Sequence, residues 1–149
     1  MTKAIFLDRD GVINQERKDY VKKIDEFKIL DKIADAINII KSHGFLVIII
    51  TNQSAINRKL ISVETLNKIH EKLQSYLEKY GTSFDGVYFC PHTPSENCEC
   101  RKPKAGLLLH AAEDYNIDMK NSFFIGNSIT DIEAADAVGC KGVLLEENK

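Results

Sequence analysis

No stretch of this chain is apolar for long enough to cross a membrane. The longest unbroken run spans residues 45–50 of 149, whereas a spanning helix needs about 20. There is no basic excess either: 20 Lys and Arg stand against 22 Asp and Glu, for a net charge of -2. With a pI near 6.1 and no Lys/Arg cluster, a nucleic-acid groove is excluded and no nucleic-acid or membrane partner is expected. The opening MTKAIFLDRDG enters a strand-like run at once. No signal peptide is therefore expected, and the expected compartment is the cytoplasm, where thiols stay reduced. Three motifs are missing as well. No G-x-x-x-x-G-K-[ST] occurs, which excludes a P-loop, and no C-x-x-C occurs, which weakens a thioredoxin-type reading. The Asp-Arg-Asp-Gly string at 8–11 is not an EF-hand loop, whose glycine belongs at the sixth position.

What remains is an ordinary folded composition, 44% apolar and 28% charged, at a length that fits a single domain over 1–149. Residues 4–7 form a short apolar run ending at Asp8. Ile33, Ile37 and Ile40 recur at helical spacing over 31–43, and Gly44 is a natural stop. The unbroken β-branched run at 45–50 has the pattern of a strand buried on both faces. Ser62 can cap a helix reaching about residue 80, with Leu66, Ile69, Leu73 and Leu77 on one stripe. Strands are expected at 86–89, 122–125 and 142–145, and helices at 104–115 and 129–138. This alternation predicts an α/β fold, a Rossmann-like parallel sheet with helices on both faces. Only 11–30, 52–61 and 90–103 lack a clear period.

Ligands of such folds bind beyond the carboxyl ends of the strands. Those ends carry Asp8-Arg9-Asp10-Gly11, Thr51-Asn52-Gln53-Ser54, the cluster from Cys90 to Lys102, and Gly126-Asn127-Ser128 with Asp131 beyond. Asp8 and Asp10 could be an ordinary solvated turn. They also suit phosphoryl transfer, with one carboxylate as nucleophile and the other as acid and then base, through an aspartyl-phosphate. Two anions facing a phosphate need cations. Magnesium fits the carboxylates, Lys102 adds a point charge, and Thr51 can hold phosphoryl oxygens. Cys90-x-His92-x5-Cys98-x-Cys100 is a closed four-ligand set suited to structural, tetrahedral zinc. It would order a loop that has no core of its own and aim Arg101 and Lys102 at the site. Arg101, between a zinc ligand and Lys102, suits a second phosphate or sugar hydroxyls. Asn52 and Ser54 are candidates for phosphate contact, with capping of the next segment as the plain alternative. Cys140, His43, His70 and His110 read as structural or solvated, and Tyr20, Tyr88 and Tyr115 as packing.

DRDG, TNQS, CRKPK and GNSITD, in that order, resemble the four motifs of haloacid-dehalogenase-type phosphatases over essentially the whole chain. The longer strings FLDRDGVIN, ITNQSAI, CECRKPKAGLLLHAAEDYNID and IGNSITDIEAA are similar to the D-glycero-D-manno-heptose-1,7-bisphosphate 7-phosphatases. The histidinol-phosphate phosphatase domain is a close sister with a similar cysteine loop. The resemblance implies Asp8 as nucleophile, Asp10 as general acid/base, Thr51 on the transferring phosphoryl group and Lys102 stabilising the aspartyl-phosphate. It implies magnesium at Asp8, the Asp10 carbonyl and the position of Asn127; apart from the resemblance, Asp131 one helical turn on is a candidate further ligand, directly or through water. It also implies zinc in the cysteine loop, and since no insertion between Gly11 and Asp31 or after Thr51 is large enough for a separate cap, no large cap domain is expected. The implied substrate is heptose 1,7-bisphosphate, in nucleotide-heptose synthesis for surface polysaccharide. Arg58 falls where the family carries an arginine followed by glycine, but here Lys59 follows. A monomer is the default expectation.

One departure stands out. The family's aspartate after the fourth-motif glycine is Asn127 here, which removes a negative charge from the magnesium site and should weaken metal affinity. A weaker but active site, a substitution that stalls turnover, and a non-hydrolysing phosphosugar binder are all compatible with that change. Histidinol phosphate is the alternative substrate.

Overall fold

A computed structural model describes residues 1–146. Its nine regular elements alternate strictly: β1 (Ala4–Leu7), α1 (Ile33–Ser42), β2 (Leu46–Asn52), α2 (Val63–Lys79), β3 (Gly86–Cys90), α3 (Gly106–Tyr115), β4 (Phe123–Gly126), α4 (Ile129–Ala137) and β5 (Lys141–Leu144). The five strands are all parallel, in the order β3-β2-β1-β4-β5. This is the architecture expected from the alternation, and element ends differ from the sequence reading by a residue or two. β2 runs on to Asn52, because Thr51 and Asn52 still pair with Phe89 and Cys90 of β3.

Side chains alternate across each strand, so the sheet divides the core in two. Leu7, Val47 and Ile49 face the side covered by Ile33 and Ile37 of α1 and Leu66, Ile69, Leu73 and Leu77 of α2. Ala4, Phe6, Ile48, Ile50 and Phe124 face Leu107, Leu108 and Ala111 of α3 and Ala134 and Ala135 of α4. A right-handed crossover from each strand to the next parallel strand demands this division. The chain walks outward from β1 to β3 with helices on one face, then returns past β1 to β4 with helices on the other. The walk reverses between β1 and β4, and the crevice at the strands' carboxyl ends opens there.

The N-terminus of α2 is capped by Ser62, whose hydroxyl accepts from Thr65 N. α4 begins with a capping box: Ser128 accepts from the first turn, while the Asp131 carboxylate accepts from Ser128 N. Residues 8–32 form an extended loop with a single 3-10 turn, Ile24–Glu26. No cap domain is inserted among the described residues. β5 is an exposed edge, leaving Val143, Leu144 and Leu145 each roughly two-fifths or more open. No helix of the described residues is long and apolar enough to cross a membrane.

Candidate active site

Asp8 follows β1 directly, so the central strand delivers it to the reversal point. A tight turn then sets Asp10. The Arg9 carbonyl accepts from the N–H groups of Val12, Ile13 and Asn14 (3.2, 2.8 and 3.3 Å), and Gly11 N donates to Asn14 O at 2.8 Å. Gly11 has φ +90°, a left-handed conformation that favours glycine. A Cβ there would collide with the Asn127 carboxamide, reaching Cγ at 2.9 Å. Loop and fourth motif are thus pressed together.

Lys102 is buried and is the hub of the site. Its Nζ lies 3.0 Å from Asp8 Oδ1 and 2.6 Å from Asp131 Oδ1, and it donates to Ile50 O at 3.1 Å. Burial pushes the Asp8 carboxyl up to about 7, against the pull of Lys102, and the nearby Asp131 adds to the rise. Asp10 differs. Burial would push it up as well, but Arg9, Asn14 and Gln53 outweigh that and hold it below the usual carboxylate value. Asn52 clamps the lysine's backbone, accepting from Lys102 N at 3.0 Å and donating to Lys102 O at 3.3 Å. Thr51 Oγ1 is buried beside these groups and accepts from Gln53 Nε2 at 2.9 Å.

Thr51 lies just behind a cavity of about 470 Å3, lined by Asp8, Asp10, Asn52, Gln53, Lys102, Asn127, Ser128 and Asp131 from the strand ends. The loop after β1 supplies its other wall, Glu16, Arg17, Lys18 and Tyr20. That wall escaped the sequence reading, because an aperiodic polar loop carries no burial signal. Three expected substrate contacts, Ser54, Arg58 and Arg101, lie outside this lining. Arg58 donates to Ser54 Oγ at 3.2 Å and sits 5.7 Å over the Tyr20 ring, buttressing the wall from behind. Arg101 donates to His92 O at 3.2 Å and lines a smaller recess beside Thr93, Asn97 and Lys104. Asp131, expected near magnesium, is committed to Lys102 and to the α4 cap.

A divalent cation fits this donor set. Asp8, the Asp10 carbonyl and the Asn127 carboxamide are hard oxygen donors at the edge of a cavity that Asp131 also lines, as magnesium requires. The cysteine cluster fits a second metal. Cys90, His92, Cys98 and Cys100 bring their ligand atoms within 4.8 Å of one another, the scale of a tetrahedron with bonds of about 2.3 Å to sulfur. β3 positions Cys90, and the 3-10 turn Pro94–Glu96 carries the chain back to Cys98. Burial pushes all three thiols of the cluster upward; at Cys98 alone the Arg101 N–H and neighbouring thiols outweigh it and leave the group at about 7, while Cys90 and Cys100 stay raised.

The chain is 40% identical over 147 residues to a D-glycero-beta-D-manno-heptose-1,7-bisphosphate 7-phosphatase of Neisseria meningitidis, a match covering 99% of this chain and 79% of the relative. The chain belongs to the heptose-bisphosphate phosphatase family. Residues 3–138 also match the family described as polynucleotide kinase 3 phosphatase. The crystal structure of D,D-heptose 1,7-bisphosphate phosphatase from B. bronchiseptica, complexed with magnesium and phosphate, superposes with a TM-score of 0.92. It is 38% identical and covers 96% of this chain and 80% of its own. The fold is that of the haloacid-dehalogenase superfamily. Within the heptose-bisphosphate phosphatases both anomeric names occur among relatives. A Campylobacter jejuni D-glycero-alpha-D-manno-heptose-1,7-bisphosphate 7-phosphatase is 44% identical over 133 residues, covering 89% of this chain and 76% of the relative.

Proposed function

We propose that this chain is a magnesium-dependent phosphomonoesterase that removes the 7-phosphate of D-glycero-D-manno-heptose 1,7-bisphosphate, a step toward nucleotide-activated heptose for surface polysaccharide. It acts as a single-domain, cytoplasmic monomer whose partner is a small phosphosugar, with a structural zinc in the cysteine loop. The observation that carries the reading is the buried Lys102 ammonium set between Asp8 and Asp131, on the cavity that Asp10 also lines.

Asp8 attacks phosphorus and the bond to the sugar O7 breaks. Lys102 and Thr51 steady the phosphoryl oxygens. Asp10, loaded with a proton as the incoming phosphate's negative charge raises its proton affinity, gives that proton to O7. The free carboxylate of Asp10 then takes a proton from water, which attacks the aspartyl-phosphate and releases phosphate with Asp8 restored. Magnesium, when held by Asp8, the Asp10 carbonyl and Asn127, supplies further charge neutralisation.

The deciding experiment is phosphate release from heptose 1,7-bisphosphate with magnesium, for the parent chain and Asn127→Asp together. Restoring the carboxylate is expected to lower the magnesium concentration for half-maximal activity by about tenfold, since hard cations favour carboxylates. Calorimetric titration with magnesium checks the same shift without turnover. Release by the variant alone means that the neutral amide stalls an intact site. Silence from both, with folded protein, overturns the substrate, and histidinol phosphate is assayed next.

A further inference from the structure

Arg9 lies between the two active-site aspartates in sequence, yet it is fully buried. A buried guanidinium must have its donors occupied. Its Nε and NH2 both donate to Asp10 Oδ1, at 3.2 and 2.9 Å. Its NH1 lies 3.2 Å from His70 Nε2 on α2, and its face rests over the Phe27 ring at 5.3 Å. Guanidinium has no acceptor, so this contact requires His70 to present a bare Nε2 and be neutral. Burial, and then the Arg9 charge, hold His70 down at about 3.

The consequence reaches the cavity. Asp10 Oδ1 accepts from Arg9 twice and from Asn14 Nδ2 at 2.9 Å, while Oδ2 accepts only from Gln53 Nε2 at 2.9 Å. A carboxyl takes its proton on the less occupied oxygen. We propose that His70 and Arg9 are positioning residues: His70 locks the Arg9 fork, Arg9 saturates Asp10 Oδ1, and proton transfer is thereby confined to Oδ2. The proposal rests on the phosphatase reading above. It assigns one oxygen of the acid/base to the chemistry and gives a buried histidine of α2 a part in it.

The test compares the parent with Arg9→Lys, His70→Leu and His70→Gln, the last keeping an acceptor for the Arg9 N–H. Two substrates are used, heptose 1,7-bisphosphate and p-nitrophenyl phosphate, whose leaving group needs no proton. With enzyme in excess, p-nitrophenolate release reports attack by Asp8. Decay of the acid-quenched phosphoenzyme reports the water step that Asp10 assists. General acid–base assistance contributes about 10²–10⁴-fold. His70→Leu should therefore lower kcat on the sugar phosphate about 10-fold and Arg9→Lys about 100-fold, with KM nearly unchanged. Phosphoenzyme decay should slow alongside, while p-nitrophenolate release stays within about 3-fold and His70→Gln recovers most of the loss. Equal losses in attack and decay, no loss at all, or a His70→Gln protein as slow as His70→Leu would overturn the relay. If Arg9→Lys fails to fold, the two His70 variants decide. If the parent turns over only the aryl phosphate, the heptose reading fails and phosphoenzyme decay still decides the relay. If it turns over neither, the catalytic reading falls and takes the relay with it.

Discussion

Asp8→Asn is expected to lower phosphate release by at least ~10⁴-fold, because Asp8 is the proposed nucleophile and an amide cannot form the covalent intermediate. The change is nearly isosteric. The asparagine oxygen can still accept from Arg9 N, now at 2.8 Å, and from Lys102 Nζ, now at 3.0 Å. Lys102 also keeps its ion pair with Asp131. The protein should therefore fold with a Tm close to the parent's, so that lost chemistry can be told from lost structure. Acid-quenched phosphoenzyme should vanish with turnover. A variant that keeps more than about a hundredth of the parent rate would mean a different nucleophile, since removing a true one costs far more.

Stripping metal from the cysteine loop is the second large effect. Lys102 is joined to Cys100 through Arg101 alone, and apart from Asn52 its backbone has little else to fix it. Cys98→Ser, or treatment with a strong zinc chelator, should release the loop from β3 and let the ammonium drift from Asp8. A loss of about 100-fold in kcat is expected, since misplacing a catalytic group by about 1 Å costs that much. Loss of about 3 kcal/mol of metal-linked stability would lower Tm by about 10 °C. Zinc content, Tm and activity should fall together and recover on zinc addition. If zinc leaves while kcat holds, the loop is not what places Lys102.

The elements were legible because their patterns are strong. The β-branched run before Thr51 could only be a buried strand, and the stripe from Leu66 to Leu77 could only be one face of a helix. The gathering of Asp8, Asp10, Lys102, Asn127 and Asp131 on one cavity was legible because parallel strands deliver their carboxyl ends to one edge. Arg9 and His70 were missed for opposite reasons. A charged residue in a turn reads as solvated, and nothing local reveals that Phe27 and α2 bury it. His70 did carry a signal: with Leu66, Ile69 and Leu73 it completes the i, i+3, i+4, i+7 pattern of the inward face. Arg58 and Arg101 were placed by proximity in sequence, but side-chain partners turned both away from the main cavity. Asn52, a candidate for phosphate contact, lines the main cavity and also clamps the Lys102 backbone, a second task that nothing in its own sequence neighbourhood signals.

The close approach of Gly11 to Asn127 bears on how this sequence can change over generations. The two positions share one small volume, and glycine, already at φ +90°, has nothing left to give up. A side chain gained at position 11 would press on the Asn127 carboxamide, so glycine at 11 and the residue at 127 are matched in size. Aspartate and asparagine are nearly equal in volume but differ by a charge and by the exchange of an acceptor oxygen for an NH2 donor. Drift at this site can therefore alter the electrostatics of the metal position while leaving the fold untouched, and a single reversal restores it.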